Sequence, residues 1–173
     1  MSWSLPKTSR HWLLWTTLPV DTEEQISRVV DIYRKRWLIE EHFKALKTGC
    51  SLEKRQARSL GSWLNTAALR MPQAWRLLRL RLLSRKEHGL PASVVFSPLE
   101  VRILQQLVPK AKLRRAPKLR AAMLAVANLE GFQRSNGEPV WLILGRGLEK
   151  LLTAARGARA LLELQREGGD FEM

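Results

Sequence analysis

One cysteine, Cys50, and three histidines, His11, His42 and His88, are all that the 173 residues offer as soft or borderline metal ligands. A single thiol excludes an internal disulfide and a thiolate zinc cage, and the histidines are too scattered to suggest a site of their own. Long apolar runs are missing too. The longest, such as Val140 to Leu144, fall far short of the ~20 residues that a spanning helix needs, so no membrane partner is expected. The start of the chain, Met1 to Lys7, has no apolar stretch of signal-peptide length behind its first charge, which predicts a soluble, cytoplasmic protein. Internal repeats and low-complexity tracts are absent. Acidic residues are scarce. Sixteen Asp and Glu against 30 Lys and Arg leave a formal charge of +14, which favours a polyanionic partner, nucleic acid first. A merely basic surface, of the kind an arginine-rich genome produces, stays open on charge alone.

With 45% hydrophobic residues the chain can bury a core. His11 to Thr17 is apolar, aromatic and β-branched at its end, and Pro19 closes it; this predicts a buried strand. From Asp21 the pattern turns helical, with Thr22 and Gln25 spaced as a capping box and Glu23 and Glu24 at the positive end of the helix dipole. One long helix is expected from there to about Thr48, stopped by Gly49. A short basic turn with Glu53, Lys54, Arg55 and Gln56 leads to a second helix over about Leu60 to Arg85, broken or kinked at Pro72. Within it, Arg76 to Leu83 alternates closely enough that a strand is conceivable, though helix formers flank it. Residues 88–96, with Gly89 and Pro91, read as a linker between domains. Ser97-Pro98-Leu99-Glu100 is a strong helix start, for a helix to about Val108. After a basic loop with Pro117, a small-residue helix spans Arg120 to Glu130 and ends at Gly131. A turn at Ser135-Asn136-Gly137 precedes a last helix from about Val140 to Ala155, with a shorter continuation through Leu164. Residues 167–173 are expected to fray. The expected class is mainly α, with one strand.

Chemistry concentrates on the long helix. At roughly 100° per residue, Tyr33, Arg36, Glu40 and Lys47 fall within an arc of about 60°. Ile26, Val29 and Val30 lie upstream on the same face, so the stripe begins apolar and turns polar, as it would at the edge of a core. A carboxylate can hold a divalent ion, and a phenol, a guanidinium and an ammonium around it can grip phosphate oxygens. A solvated helix laced with ion pairs, such as Arg36 with Glu40, has the same composition. Geometry leaves both readings open.

The spacing Tyr33-x2-Arg36-x3-Glu40-x6-Lys47 resembles the YREK signature of bacterial insertion-sequence transposases of the family-four, Tn-five-like type. The frame around it, Asp31-Ile32-Tyr33-x-x-Arg36-Trp37-x-Ile39-Glu40-Glu41 and Lys44-Ala45-x-Lys47-Thr48-Gly49, is similar as well. The resemblance runs from about Trp12 to Gly157. Ser97 to Val108, Ala121 to Phe132 and Trp141 to Leu152 resemble that family's dimerisation domain in the same order.

The resemblance implies an RNase H-like catalytic core in which Glu40 is the third acid of an Asp-Asp-Glu triad, holding one of two divalent ions, Mg²⁺ or Mn²⁺. Tyr33, Arg36 and Lys47 would contact phosphates at the transposon end; Glu41, pointing roughly 100° away, is the weaker carboxylate. Trp12 aligns with the tryptophan that stacks on a flipped base, although a core tryptophan of a strand would look the same. Arg55 and Gln56 fall where the family makes further DNA contacts. Both catalytic aspartates lie upstream in the family, and neither Asp21 nor Asp31, which faces away from Tyr33, can replace them. The expectation is therefore a truncated, catalytically incomplete transposase that binds no metal specifically by itself. Residues 1–87 would be the end of the catalytic core, 88–96 a linker, 97–166 a helical dimerisation domain and 167–173 a disordered tail. Expected partners are transposon-end DNA and a second copy of the chain or an intact transposase, in the cytoplasm at the nucleoid. Two other readings stand beside it: an interaction protein that inhibits intact transposase by mixed dimerisation through Ala121 to Phe132 and Trp141 to Leu152, and an unrelated basic nucleic-acid-binding module.

Overall fold

The computed structural model describes residues 13–86, 89–111, 113–133, 135 and 137–168, and divides the chain into two compact units, Met1–Ile39 and Glu40–Met173. In the first unit Thr22 caps helix α1 (Glu23–Arg34) as expected. Its hydroxyl accepts from the Gln25 amide at 3.3 Å, while the Gln25 side chain accepts from the amides of Thr22 and Asp21 at 3.2 and 2.8 Å. The expected strand is not found. His11 and Trp12 lie outside the described residues, and Leu13 to Thr17 carry no strand, with Leu13 86% and Trp15 93% exposed. The apolar pattern signals a need for burial, but a strand also needs a neighbour to pair with, and the described residues contain no β-strand that could be one.

The expected long helix is interrupted twice. At Lys35 and Arg36 the main-chain bonds tighten, the Lys35 amide sharing its hydrogen between Asp31 and Ile32 and the Arg36 amide donating to Tyr33 at 2.9 Å. Helix α2 (Trp37–Lys44) follows, and the division between the units falls within it. It passes into a π-helical turn, Ala45–Gly49, closed by the Cys50 amide donating to Ala45 at 2.9 Å.

In the second unit α3 (Leu60–Lys86) continues through Pro72 without a break. Ala74, Leu77, Leu78 and Ser84 are buried at helical spacing, which disposes of the strand alternative. Residues 89–96, within the segment expected as a linker, are packed in the second unit. Ala92 and Phe96 are buried, a 3₁₀ turn spans Ala92–Val94, and main-chain bonds join the Ala92 amide to Pro117 at 2.9 Å and the Leu119 amide to Leu90 at 2.7 Å. Gly89 and Pro91 signal a turn, but turn chemistry does not tell a tethered segment from a packed one.

Helix α4 (Pro98–Leu107) begins with the expected Ser97–Glu100 capping box. Helix α5 (Leu119–Asn128) buries Ala122, Met123, Ala125, Val126 and Ala127, and Gly131 follows it at φ 74. Helix α6 (Trp141–Gly168) is continuous where two pieces were expected. Trp141, Leu144, Leu148 and Leu151 are buried in one core with α3 and α5, so these residues spend their apolar surface within a single chain. Beyond Ala155, α6 runs on with Leu161, Leu162 and Leu164 at 64%, 51% and 63% exposure.

Candidate nucleic-acid interface

The four residues of the YREK spacing divide two and two between the units. Tyr33 sits near the end of α1 and Arg36 in the turn after it; Glu40 lies on α2 and Lys47 in the π turn. Placing all four on one face assumed uninterrupted α geometry, which the turn at Lys35 and Arg36 and the π segment both interrupt.

Within the second unit, the environment of the two carboxylates differs. Glu40 is exposed. Glu41 is partly buried and accepts from the Lys44 ammonium at 2.8 Å; this hydrogen bond, and the carboxylate charge after it, raise the Lys44 pKa. The π turn is anchored from behind. Ala45, Leu46, Gly49 and Cys50 are buried, while Lys47 and Thr48 face solvent, with Lys47 ion-paired to Glu53 at 3.1 Å. Gly49 lies so close to α6 that a methyl group built on Gly145 would stand 1.8 Å from the Gly49 carbonyl oxygen. The far helix of the chain therefore buttresses the turn that displays Lys47. Burial also pushes the Cys50 thiol up to about 11, which keeps it protonated and inert at neutral pH.

Past the turn, Ser51 takes a left-handed conformation (φ 53) and swings residues 52–57 alongside α3. The result is an open cleft of about 480 Å³ lined by Ser51, Lys54, Arg55, Gln56, Ala57, Trp63 and Thr66. Arg55 and Gln56 are thus brought together with a tryptophan that sequence reasoning did not single out. The available signal was an aromatic residue within about ten positions of Lys54, Arg55 and Arg58. On a helix, however, tryptophan reads as core. Arg55 makes a loose pair with Glu149 of α6 at 3.8 Å, and Arg70 a closer one at 3.1 Å.

Among the described residues no group of three or more His, Cys, Asp or Glu side chains converges as a cation would require. Asp31 pairs with Arg34 at 3.4 Å, and one exposed glutamate supplies at most two of the ~6 oxygens that Mg²⁺ demands. The described residues do not by themselves fit a divalent ion. No helix among them is long and apolar enough to cross a membrane.

Residues 4–69 match the family model of the transposase DDE domain. The match contains Trp12, which lies outside the described residues, together with Tyr33, Arg36, Glu40, Lys47, Arg55, Gln56 and Trp63, and it ends inside α3. It covers well under half of the chain. Over those residues the chain is similar to the DDE domain of transposases, a family that generally uses a divalent metal.

Proposed function

We propose that this chain is part of a cut-and-paste transposase of the family-four, Tn-five-like type, in which Glu40 is the third acid and Tyr33, Arg36 and Lys47 hold phosphates of the transposon end. The observation that carries this is the DDE-domain match over residues 4–69, because the YREK spacing lies wholly inside it. The exposure of Glu40 and Lys47, beside a partly buried and paired Glu41, supports their roles. Without the two aspartates Glu40 is catalytically incomplete, so the reading is of a DNA-binding segment that cuts nothing alone. Fluorescence anisotropy with transposon-end duplex across a salt series tests it. The Arg36→Ala, Lys47→Ala double variant should bind more weakly, with the slope of log K against log salt reduced by about two, one for each phosphate no longer neutralised. An unchanged slope would leave the YREK roles unsupported and favour an unrelated basic module.

A second reading is favoured by the exposed leucines at the end of α6: the chain pairs with itself or with an intact transposase, which it would then inhibit as a mixed dimer. Leu161, Leu162 and Leu164 are the candidates for this contact, in place of the buried Leu148 and neighbouring Leu152. Sedimentation velocity should show a concentration-dependent dimer that the Leu161→Glu, Leu162→Glu variant weakens at least tenfold while its helix content stays the same. A monomer throughout the micromolar range would rule this reading out.

A further inference from the structure

Resting on the reading of the chain as a DNA-binding transposase segment, we infer that the cleft between residues 51–57 and the start of α3 receives a single unstacked nucleotide, its base against Trp63 and its phosphate on Lys54 and Arg55. The cleft's volume of about 480 Å³ lies within the ~300–1,000 Å³ typical of small-ligand sites, and is too small for a duplex groove partner. Its lining divides by chemistry. Trp63 is 44% exposed and contributes the one aromatic surface, which any base can stack on. Gln56 offers both an amide donor and a carbonyl acceptor, and Ser51 and Thr66 offer hydroxyls, groups that can meet a base edge or a sugar. Lys54 and Arg55 supply the positive charge.

The competing acid, Glu149, holds Arg55 only loosely, its closer partner being Arg70. Arg55 reaches Glu149 only at 3.8 Å, with both side chains about half exposed, a pairing that a phosphate can displace at little cost. Lys54 is also exposed. The site lies wholly within the second unit and is separate from Trp12, the residue whose resemblance implied base stacking. A double helix keeps its bases stacked, so this cleft selects DNA that is single-stranded or has a nucleotide turned out of the helix.

The test uses the full chain with two probes, a short oligothymidylate and a blunt duplex of mixed sequence. Trp63→Ala should weaken oligothymidylate binding by roughly fivefold to a hundredfold, the range that loss of one base–aromatic stack produces, and leave duplex binding within about twofold of the parent. Trp63→Phe, which keeps an aromatic face, should recover most of the loss and guards against misfolding of the alanine variant; circular dichroism checks both. The inference is overturned if Trp63→Ala leaves oligothymidylate binding unchanged, or if it weakens both probes equally in a folded protein. If the parent protein binds neither probe, the DNA-binding reading falls and the inference with it.

Discussion

Replacing Gly145 by alanine should destabilise the second unit by about 3 kcal/mol or more, against the usual direction of such a change. In the middle of an exposed helix, glycine to alanine gains up to about 1 kcal/mol, because alanine loses less backbone entropy. At Gly145 the added carbon would meet the backbone of the π turn, at 1.8 Å from the Gly49 carbonyl oxygen and 2.8 Å from its Cα. Backbone cannot rotate aside as the end of a side chain can, so α6 and the turn must separate and open the core between Leu77, Leu144 and Leu148, where overpacking already costs ~1–3 kcal/mol in milder cases. Gly147 meets the Val126 carbonyl oxygen of α5 in the same way, at 2.1 Å. Gly157, on the same helix, has nothing within 4 Å of an added carbon. Gly157→Ala should therefore be neutral or stabilise by up to about 1 kcal/mol. Urea unfolding of the three proteins decides the matter. Similar midpoints for Gly145→Ala and Gly157→Ala would mean that α6 does not approach the π turn so closely. Because the displaced turn displays Lys47, Gly145→Ala should also weaken duplex binding at temperatures where the protein is still folded.

That close approach explains part of what could be read in the sequence and what could not. The capping boxes of Thr22 with Gln25 and of Ser97 with Glu100 were legible because both partners sit within one turn, and local hydrogen bonding decides them. The helical class and the extents of α3, α4 and α5 followed from helix formers, start signals and glycine stops, which are likewise local. The interruption at Lys35 and Arg36 carries no glycine or proline, and the π turn no breaker before Gly49, so neither had a local signature. Gly145 and Gly147 looked like weak points of a helix; their value lies in what approaches them from residues about 20 to 100 positions away. The candidate site shows the same division. Arg55 and Gln56 were nominated by resemblance alone, but their shared cleft with Trp63 depends on the left-handed Ser51 and on the direction of α3. The strand at His11 to Thr17 was expected from residue type, yet pairing is non-local, and no strand is found among the described residues.

The second large effect belongs to Arg76 on α3, which ties α4 and the preceding segment to the core. Its guanidinium donates to both oxygens of Glu100 and, through Nε and Nη2, to the Val95 carbonyl at 3.1 and 2.9 Å, while lying over the Phe96 ring at 5.3 Å. Glu100 is one of two buried polar side chains among the described residues and also caps α4, accepting from the Ser97 amide at 2.8 Å. Burial alone would raise its pKa. The Arg76 hydrogen bonds and charge, with those from Ser97, outweigh burial and hold the carboxyl below its usual range. A folded-state pKa below the unfolded value of ~4.3 means that this carboxylate stabilises the protein above that pH. The contribution is lost as pH falls through the depressed folded value. Arg76→Met keeps most of the side-chain bulk over Phe96 but removes the guanidinium from the Val95 carbonyl and from Glu100, which keeps only the Ser97 amide, and should cost about 3 kcal/mol at pH 7. In that variant burial acts on Glu100 with less opposition, so its pKa rises and the carboxyl can become neutral on modest acidification. The gap in unfolding free energy between parent and variant should therefore be full at pH 7 and narrow steadily below about pH 5, where the variant's glutamate takes up its proton and the parent's pair begins to be lost. Urea unfolding at intervals from pH 7 to pH 3 measures it. A gap that stays constant over that range would show that Arg76 stabilises the fold through its hydrogen bonds to the Val95 carbonyl, with no part played by the charge on Glu100.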